Sequence, residues 1–323
     1  MTNQKLIIDS HHHWIPAHVA GDIPRYLRPG ETIARDRDGF RIMRGGLDLF
    51  RVNPSYTDIQ FQLKEMDAVG IDLAVLSTAC LQQWNTISLA RKINDAMAEL
   101  QAKYPHRLLG LAHVPPFEEG AVMELERAVK GLGLKGVSLT THFDGRYPDD
   151  KGYDPLFRKA EDLGVPIVFH AATHPAEDSL FKKYGLIRSL GRLVDHTLAV
   201  ADTLYTVAKK FPKLKFLHAH LGGSFIIMKD RLLDVDWFGV ESQPYDEILD
   251  RQFFFDTGPA RWQPDILECA MNCMGCNHIL LGSDYPVKSQ FLPDSVNAIK
   301  QMRISDEEKS KILGENALAL FNL

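Results

Sequence analysis

The chain is predicted to fold as a (β/α)8 TIM barrel, and three observations predict it. Eight short apolar runs recur along its 323 residues, at roughly 5–11, 73–78, 107–113, 135–141, 165–170, 214–219, 252–257 and 278–283. Most are continuous rather than alternating, as in a parallel sheet covered by helices. Segments with helical periodicity separate them, which is the pattern of repeated strand–helix units. Several of the runs also deliver a histidine or aspartate at their carboxyl ends, where barrels of this kind keep their chemistry.

The intervening segments carry helix signals one by one. Ser55 to Ala68 has apolar residues at helical spacing and stops at Gly70, a C′ position. Ile87 to Ala102 is amphipathic and ends before Pro105, and Glu118 to Val129 ends in Gly131. Asp154-Pro155 places proline at a first helical position, and that helix stops at Gly164. Leu193 to Lys210 ends before Pro212, and Pro264 to Cys273 leads into the last strand. Ser305-Asp306-Glu307-Glu308 is a capping box for a terminal helix. Residues 1–323 read as a single barrel domain.

Two connections are long. Residues 14–56, after the first strand, read as an inserted loop or lid over the active site, since long loops in compact domains are usually functional. Seven arginines fall there: Arg25, Arg28, Arg35, Arg37, Arg41, Arg44 and Arg51. One or two of them are expected to fork onto a substrate carboxylate. Acidic residues are interspersed, so the rest read as solvated. The second connection, 171–192, is expected to wall the pocket.

Composition excludes several function classes. With 45% hydrophobic and 24% charged residues the chain has material for a large core. The net charge of -5 and the lack of a long basic stripe argue against nucleic acid. The first residues have no signal-peptide character, and no apolar stretch reaches the length of about 18 that spans a membrane. A soluble cytoplasmic protein is expected. Cys80, Cys269, Cys273 and Cys276 are not a disulfide framework in a chain this long. The lone C-x-x-C at Cys273 and Cys276 reads as small apolar residues on a buried helix.

The candidate site is built from strand ends. In His11-His12-His13 alternation puts His11 and His13 on one face, a chelating pair, and leaves His12 a structural role. His170 ends Pro166-Ile167-Val168-Phe169 and becomes a third nitrogen ligand. Asp284 follows Ile279-Leu280-Leu281-Gly282-Ser283; a buried carboxylate is costly unless paired or metal-bound, so it is a fourth ligand that can also carry a proton. His218 and His220 should share a face. His220, nearer the mouth, reads as the general acid/base, and His218 as core. The strand at 135–141 offers no lysine at its carboxyl end to bridge two metals, since Lys135 lies at its start. One ion is therefore expected. Nitrogen plus carboxylate ligation suits Zn²⁺ best, with Mn²⁺, Fe²⁺ or Co²⁺ as alternatives. His142 is a candidate substrate contact, with a structural role equally open, and His113 and His174 are weaker candidates.

At these residues the sequence resembles the amidohydrolase superfamily, in particular the branch holding aminocarboxymuconate semialdehyde decarboxylase and related non-oxidative aromatic acid decarboxylases. The carrying motifs are Asp9-Ser10-His11-His12-His13, Ala219-His220-Leu221-Gly222-Gly223, Gly282-Ser283-Asp284-Tyr285-Pro286 and Gly314-Glu315-Asn316-Ala317, with Leu221 and Val287 as departures. The resemblance implies one zinc held by His11, His13, His170 and Asp284, with His220 as catalytic acid/base. It implies that Arg231, eleven residues after His220, reaches into a neighbouring subunit's site, which makes a homodimer or higher homo-oligomer the expected unit. It further implies that an arginine of an F-R pair binds a carboxylate, and Phe40-Arg41 and Phe50-Arg51 both fit.

The expected activity is metal-dependent loss of CO2 from an aromatic or muconate-type acid bearing a hydroxyl or amino group. Either Asp284 or His220 would deliver the proton. The rival activity is hydrolysis of a lactone or cyclic amide by the same ligand set. A non-catalytic scaffold is disfavoured by retention of the whole set.

Overall fold

The computed structural model describes residues 5–78, 81, 83, 86–173, 183–234, 242–259 and 262–323. The chain enters the barrel with β1 (Ile8–His13). It leaves for an excursion carrying β2 (Glu31–Asp36), β3 (Gly39–Arg44) and β4 (Leu47–Val52), and returns with β5 (Leu73–Ser77). Next, β6 (Leu108–Gly110) and β7 (Ala112–His113) form two halves of one barrel strand. The ring is completed by β8 (Val137–Thr140), β9 (Ile167–His170), β10 (Phe216–His218), β11 (Phe253–Asp256) and β12 (Ile279–Leu280).

Strand pairing is parallel in the order β1-β5-β6 and then β7 through β12. Two seams close the ring. Leu111 donates to the Leu76 carbonyl while Ala112 donates to that of Gly136. On the other side Ser10 donates to Leu281, Asp284 to His11 and His13 to Tyr285, so the last strand lies against the first. The architecture is a (β/α)8 barrel.

The lumen and the outer layer have different contents. Ile8, Val75, Leu109, Val168, Leu217 and Leu280 point inward, one from each of six strands, and meet Ala317, Leu320 and Phe321 of the helix Asn316–Phe321. This helix therefore plugs the floor. Outward-facing Phe169, Phe216, Phe253 and Phe255 pack among the helices in the larger cluster.

Helix punctuation follows the sequence closely. Gly70 and Gly164 cap the helices Ile59–Val69 and Asp154–Leu163 in the left-handed conformation, with φ of 80° and 66°. Both hydrogen bonds of the Ser305–Glu308 capping box are present.

Three readings need correction. The first strand runs to His13, so the histidines lie within it. The excursion is not a loop: β2, β3 and β4 form an antiparallel meander with turns at Arg37-Asp38 and Gly45-Gly46. Cys269 and Cys273 are exposed on the helix Pro264–Met274, and Cys276 is half-buried, so none is core. Cys80 and His174 fall outside the described residues.

Candidate metal centre and active site

Three local devices aim side chains at the barrel mouth. The first is a bulge in β1. Ile8 faces the lumen floor, and simple alternation would turn His11 and His13 away from it. The register shift between Asp9 and His12 corrects the parity. The second is a run of left-handed backbone after β10. His220, Leu221, Gly222 and Gly223 have φ of 56°, 53°, 64° and 71°. A Cβ on Gly223 would lie 2.2 Å from the Leu193 carbonyl oxygen, so a side chain there is excluded. The third is Asp284, also left-handed at φ 58°. Non-glycine residues held there store strain that clusters at functional sites.

The left-handed run breaks the alternation expected of His218 and His220. His218 stacks on Phe169 and Phe253 with ring centroids 5.1 and 5.6 Å away, and its Nδ1 lies 3.3 Å from His196 Nε2. His220 instead turns toward His11, centroid to centroid 4.9 Å.

Five donor side chains converge at the mouth. His11, His170, His220 and Asp284 place one donor atom each within 4.8 Å of one another. His13 joins them: its Nε2 is 3.1 Å from His11 Nε2 and 3.0 Å from Asp284 Oδ1. The same Asp284 oxygen is 3.4 Å from His11 Nε2 and 3.7 Å from His170 Nε2. A tetrahedral ion with bonds of 2.0–2.1 Å requires donor–donor spacings of about 3.3–3.4 Å. Four of the six spacings within the sequence-predicted set His11, His13, His170 and Asp284 lie between 3.0 and 3.7 Å, whereas the group whose donor atoms all lie within 4.8 Å holds His220 in place of His13.

The second nitrogen of each ring is anchored elsewhere. His11 Nδ1–H donates to Asp256 Oδ1 at 3.0 Å. His170 Nδ1–H donates to the Ala171 carbonyl at 3.1 Å, and His220 Nδ1–H to that of Gly258 at 2.8 Å. His13 Nδ1 pairs with Ser77 Oγ at 2.9 Å. Acceptors at Nδ1 leave Nε2 as the lone-pair nitrogen, the arrangement of metal-ligating histidines with a supporting outer shell.

Electrostatics agree with a cation at this point. Burial lowers the His11 pKa, but the Asp256 and Asp284 carboxylates outweigh it and hold it well above the ordinary histidine value. Burial raises Asp284, yet hydrogen bonds from His11, His13 and His170 hold its carboxyl well below the usual range. His11 is thus the imidazole that keeps a proton beside the anionic Asp284 oxygen, since burial holds His13 well below the ordinary value. A divalent ion would replace that proton on binding. Burial pushes His220 down to about 4, so its imidazole is neutral near pH 7.

Other candidates sit differently. His12 bonds Asp9 through Nδ1 at 3.0 Å, and Asp9 also accepts the Ser283 N–H, tying β1 to the Asp284 turn. Both nitrogens of His142 are engaged within the chain: Nδ1 accepts from Gly145 N–H and Nε2–H donates to the Thr173 carbonyl. Arg41 and Arg51 are cross-strand partners on β3 and β4, each 3.1 Å from an oxygen of Asp36, lining a cavity of about 640 Å³ beside Val287 and Lys288. Arg231 is exposed on the helix Phe225–Leu232. His113 Nε2 accepts from Thr78 N–H beneath the mouth, and burial pushes it to about 3.

Sequence reasoning missed Asp256, although Phe253-Phe254-Phe255-Asp256 is another apolar strand ending in a carboxylate. It also missed Arg188, Arg192 and Trp262, which line the cavity over His220 and Asp284. Their one available signal was the four-residue spacing of the two arginines.

Comparison with known proteins fits this geometry. The chain is 26% identical to 2-amino-3-carboxymuconate-6-semialdehyde decarboxylase of Dictyostelium discoideum, over 88% of this chain and 82% of that protein. It is 28% identical to gamma-resorcylate decarboxylase of Rhizobium sp. (strain MTP-10005), over 82% and 88% respectively. The crystal structure of 5-carboxyvanillate decarboxylase from Novosphingobium aromaticivorans, complexed with manganese and 4-hydroxy-3-methoxy-5-nitrobenzoic acid, superposes with a TM-score of 0.84. It has 24% identity and covers 100% of this chain and 97% of that one. The family model described as amidohydrolase matches residues 8–323, and the chain belongs to that family.

Proposed function

We propose that this protein is a metal-dependent non-oxidative decarboxylase of a hydroxy- or amino-substituted aromatic, or muconate-type, carboxylic acid. The observation that carries the reading is the convergence of His11, His13, His170, His220 and Asp284 at one point of the barrel mouth, with no second cluster of metal-binding side chains among the described residues. Relatives and a structural neighbour named as decarboxylases support it. His11, His13, His170 and Asp284 would hold one Zn²⁺, with Mn²⁺ the nearest alternative given the manganese of the neighbour. When bound, the ion supplies Lewis-acid stabilisation of negative charge on substrate oxygens.

The chain's own residues do the rest. His220 Nδ1–H is fixed on Gly258, so Nε2 is the lone-pair atom that would first take up a proton from solvent and then pass it to the substrate. We assign proton delivery to His220, because the Asp284 carboxyl is committed to three imidazoles. The proton adds to the ring carbon bearing the carboxylate. The bond to that carboxylate then breaks, its electrons return to the ring, and CO2 leaves. Arg41 and Arg51 of the excursion would attract an anionic substrate that competes with Asp36 for them, and Arg231 would complete a site across a homodimer.

The test is CO2 release from a panel of hydroxybenzoates, aminobenzoates and muconate-type acids, with metal content measured in the same preparation. Release that stops on chelation and returns with zinc is expected. Metal-loaded protein that releases CO2 from none of them, but opens lactones, would replace the reading with hydrolysis.

A further inference from the structure

The cavity over the donor cluster encloses about 240 Å³. That is below the range of about 300–1,000 Å³ typical of sites for drug-sized ligands, and it fits one ring. His220 and Asp284 form its floor, Trp262 and Pro259 give it flat apolar faces, and Arg188 and Arg192 supply its cations. Four residues apart on a continuous helical stretch, these arginines leave the same face.

Adjacent residues of β4 hold both of them. Asp48 Oδ2 lies 3.5 Å from Arg188 Nη1, and the Leu49 carbonyl accepts from Arg192 Nη2 at 3.1 Å. The tether leaves donors over. Arg192 Nε–H and Trp262 Nε1–H are enclosed and have no acceptor among the described residues. Enclosed donors without acceptors are unfavourable, and a ligand oxygen would relieve both. Arg41 also has an enclosed Nε–H without an acceptor among the described residues, but it and Arg51 already share the Asp36 carboxylate and line a different cavity.

We infer that Arg188, Arg192 and Trp262 form a clamp for a second carboxylate, so that the acid bound here is a single-ring dicarboxylate. The first carboxylate lies at the His220–Asp284 floor, where its loss rests on the decarboxylase reading. The second stays on the product. Planar guanidinium groups match a carboxylate through paired N–H bonds, and the indole N–H adds a third direction. Asp48 competes with the ligand for Arg188 and sets its availability.

Isothermal titration of the zinc-loaded protein with benzoate, isophthalate and terephthalate tests the clamp without any need for turnover. At least one dicarboxylate should bind about tenfold or more tightly than benzoate, as charge-assisted paired bonds provide. Arg192→Met and, independently, Arg188→Met should erase that preference and leave the far-UV circular dichroism spectrum unchanged. Asp48→Asn should widen it, an outcome that a merely structural role for the arginines would not give. Equal affinity for all three acids, no binding of any, or a preference that survives both arginine variants would overturn the inference. A preference without CO2 release from any acid would leave the clamp standing and remove the decarboxylase reading. CO2 release from monocarboxylic hydroxybenzoates without a dicarboxylate preference would do the reverse.

Discussion

The two ends of this barrel are built from the same strands and share almost no chemistry. At the floor, inward side chains from six strands are aliphatic and meet Phe321, which is 1% exposed. At the mouth, the next inward positions are His11, His13, His170 and Asp284, equally enclosed but polar. The floor is held by apolar area, which is non-directional. The mouth is held by hydrogen bonds from each ring's outer nitrogen, and these fix direction. The contrast teaches that burial alone does not distinguish stability from function here. What distinguishes them is whether each buried polar atom has a partner pointing it somewhere.

Changes at the mouth should abolish chemistry and leave the fold. Asp284→Ala removes the one oxygen shared by three imidazoles. Metal analysis should find the ion lost, and activity should fall to background; a variant that keeps stoichiometric zinc and turnover would break the ligand assignment. His220→Gln should keep the metal and cost about 10²–10⁴ in kcat, the usual worth of a positioned acid/base. Near-normal turnover there would shift proton transfer to Asp284.

A change at the floor should do the opposite. Phe321→Ala should destabilise the protein by about 3–5 kcal/mol, read by denaturant unfolding, with kcat unchanged well below the melting temperature. A large fall in kcat at full folding would mean that floor and mouth are coupled. The outer shell lies between these extremes. Asp256→Asn should weaken metal affinity about 10–100-fold by loosening His11, which a chelator competition would measure.

The smallest expected effect compares two carboxylates. Asp284 is held down by its imidazoles, whereas burial pushes Asp202 up to about 7, despite the Asp149 N–H it accepts at 2.8 Å. The folded state therefore retains a proton on Asp202 that the unfolded chain releases. This contribution is complete below the unfolded pKa of about 3.9 and is lost as pH rises through the folded value. The melting temperature should decline over that interval, and Asp202→Asn should flatten the decline. An identical pH profile in the variant would remove Asp202 as its source.

The sequence made the mouth more legible than the excursion, for physical reasons. An apolar run ending in histidine is improbable unless the histidine is used, so His170 and Asp284 stood out. Alternation predicted the pairing of His11 with His13, but not the bulge that aims both into the lumen. It put His218 and His220 on one face, whereas the left-handed turn at His220 reverses the side of the chain and leaves His218 in the core, as expected of it. Asp38-Gly39 and Gly45-Gly46 were hairpin signals within 14–56. The strands they join are partly exposed and charge-mixed, so neither clean alternation nor an apolar run marked them. The pairing of Arg188 and Arg192 with β4 is a contact across 143 residues for the latter, and no local pattern encodes it.

The seam between the first and last barrel strands has a consequence for synthesis. His13 and Asp284 are 271 positions apart. At roughly 5–20 residues per second, translation separates them by about 14–54 s. Over that interval the nascent chain offers His11 and His13 with no partner carboxylate, a weak bidentate chelate. A site built from both ends of the chain would therefore be complete only after the ring has closed.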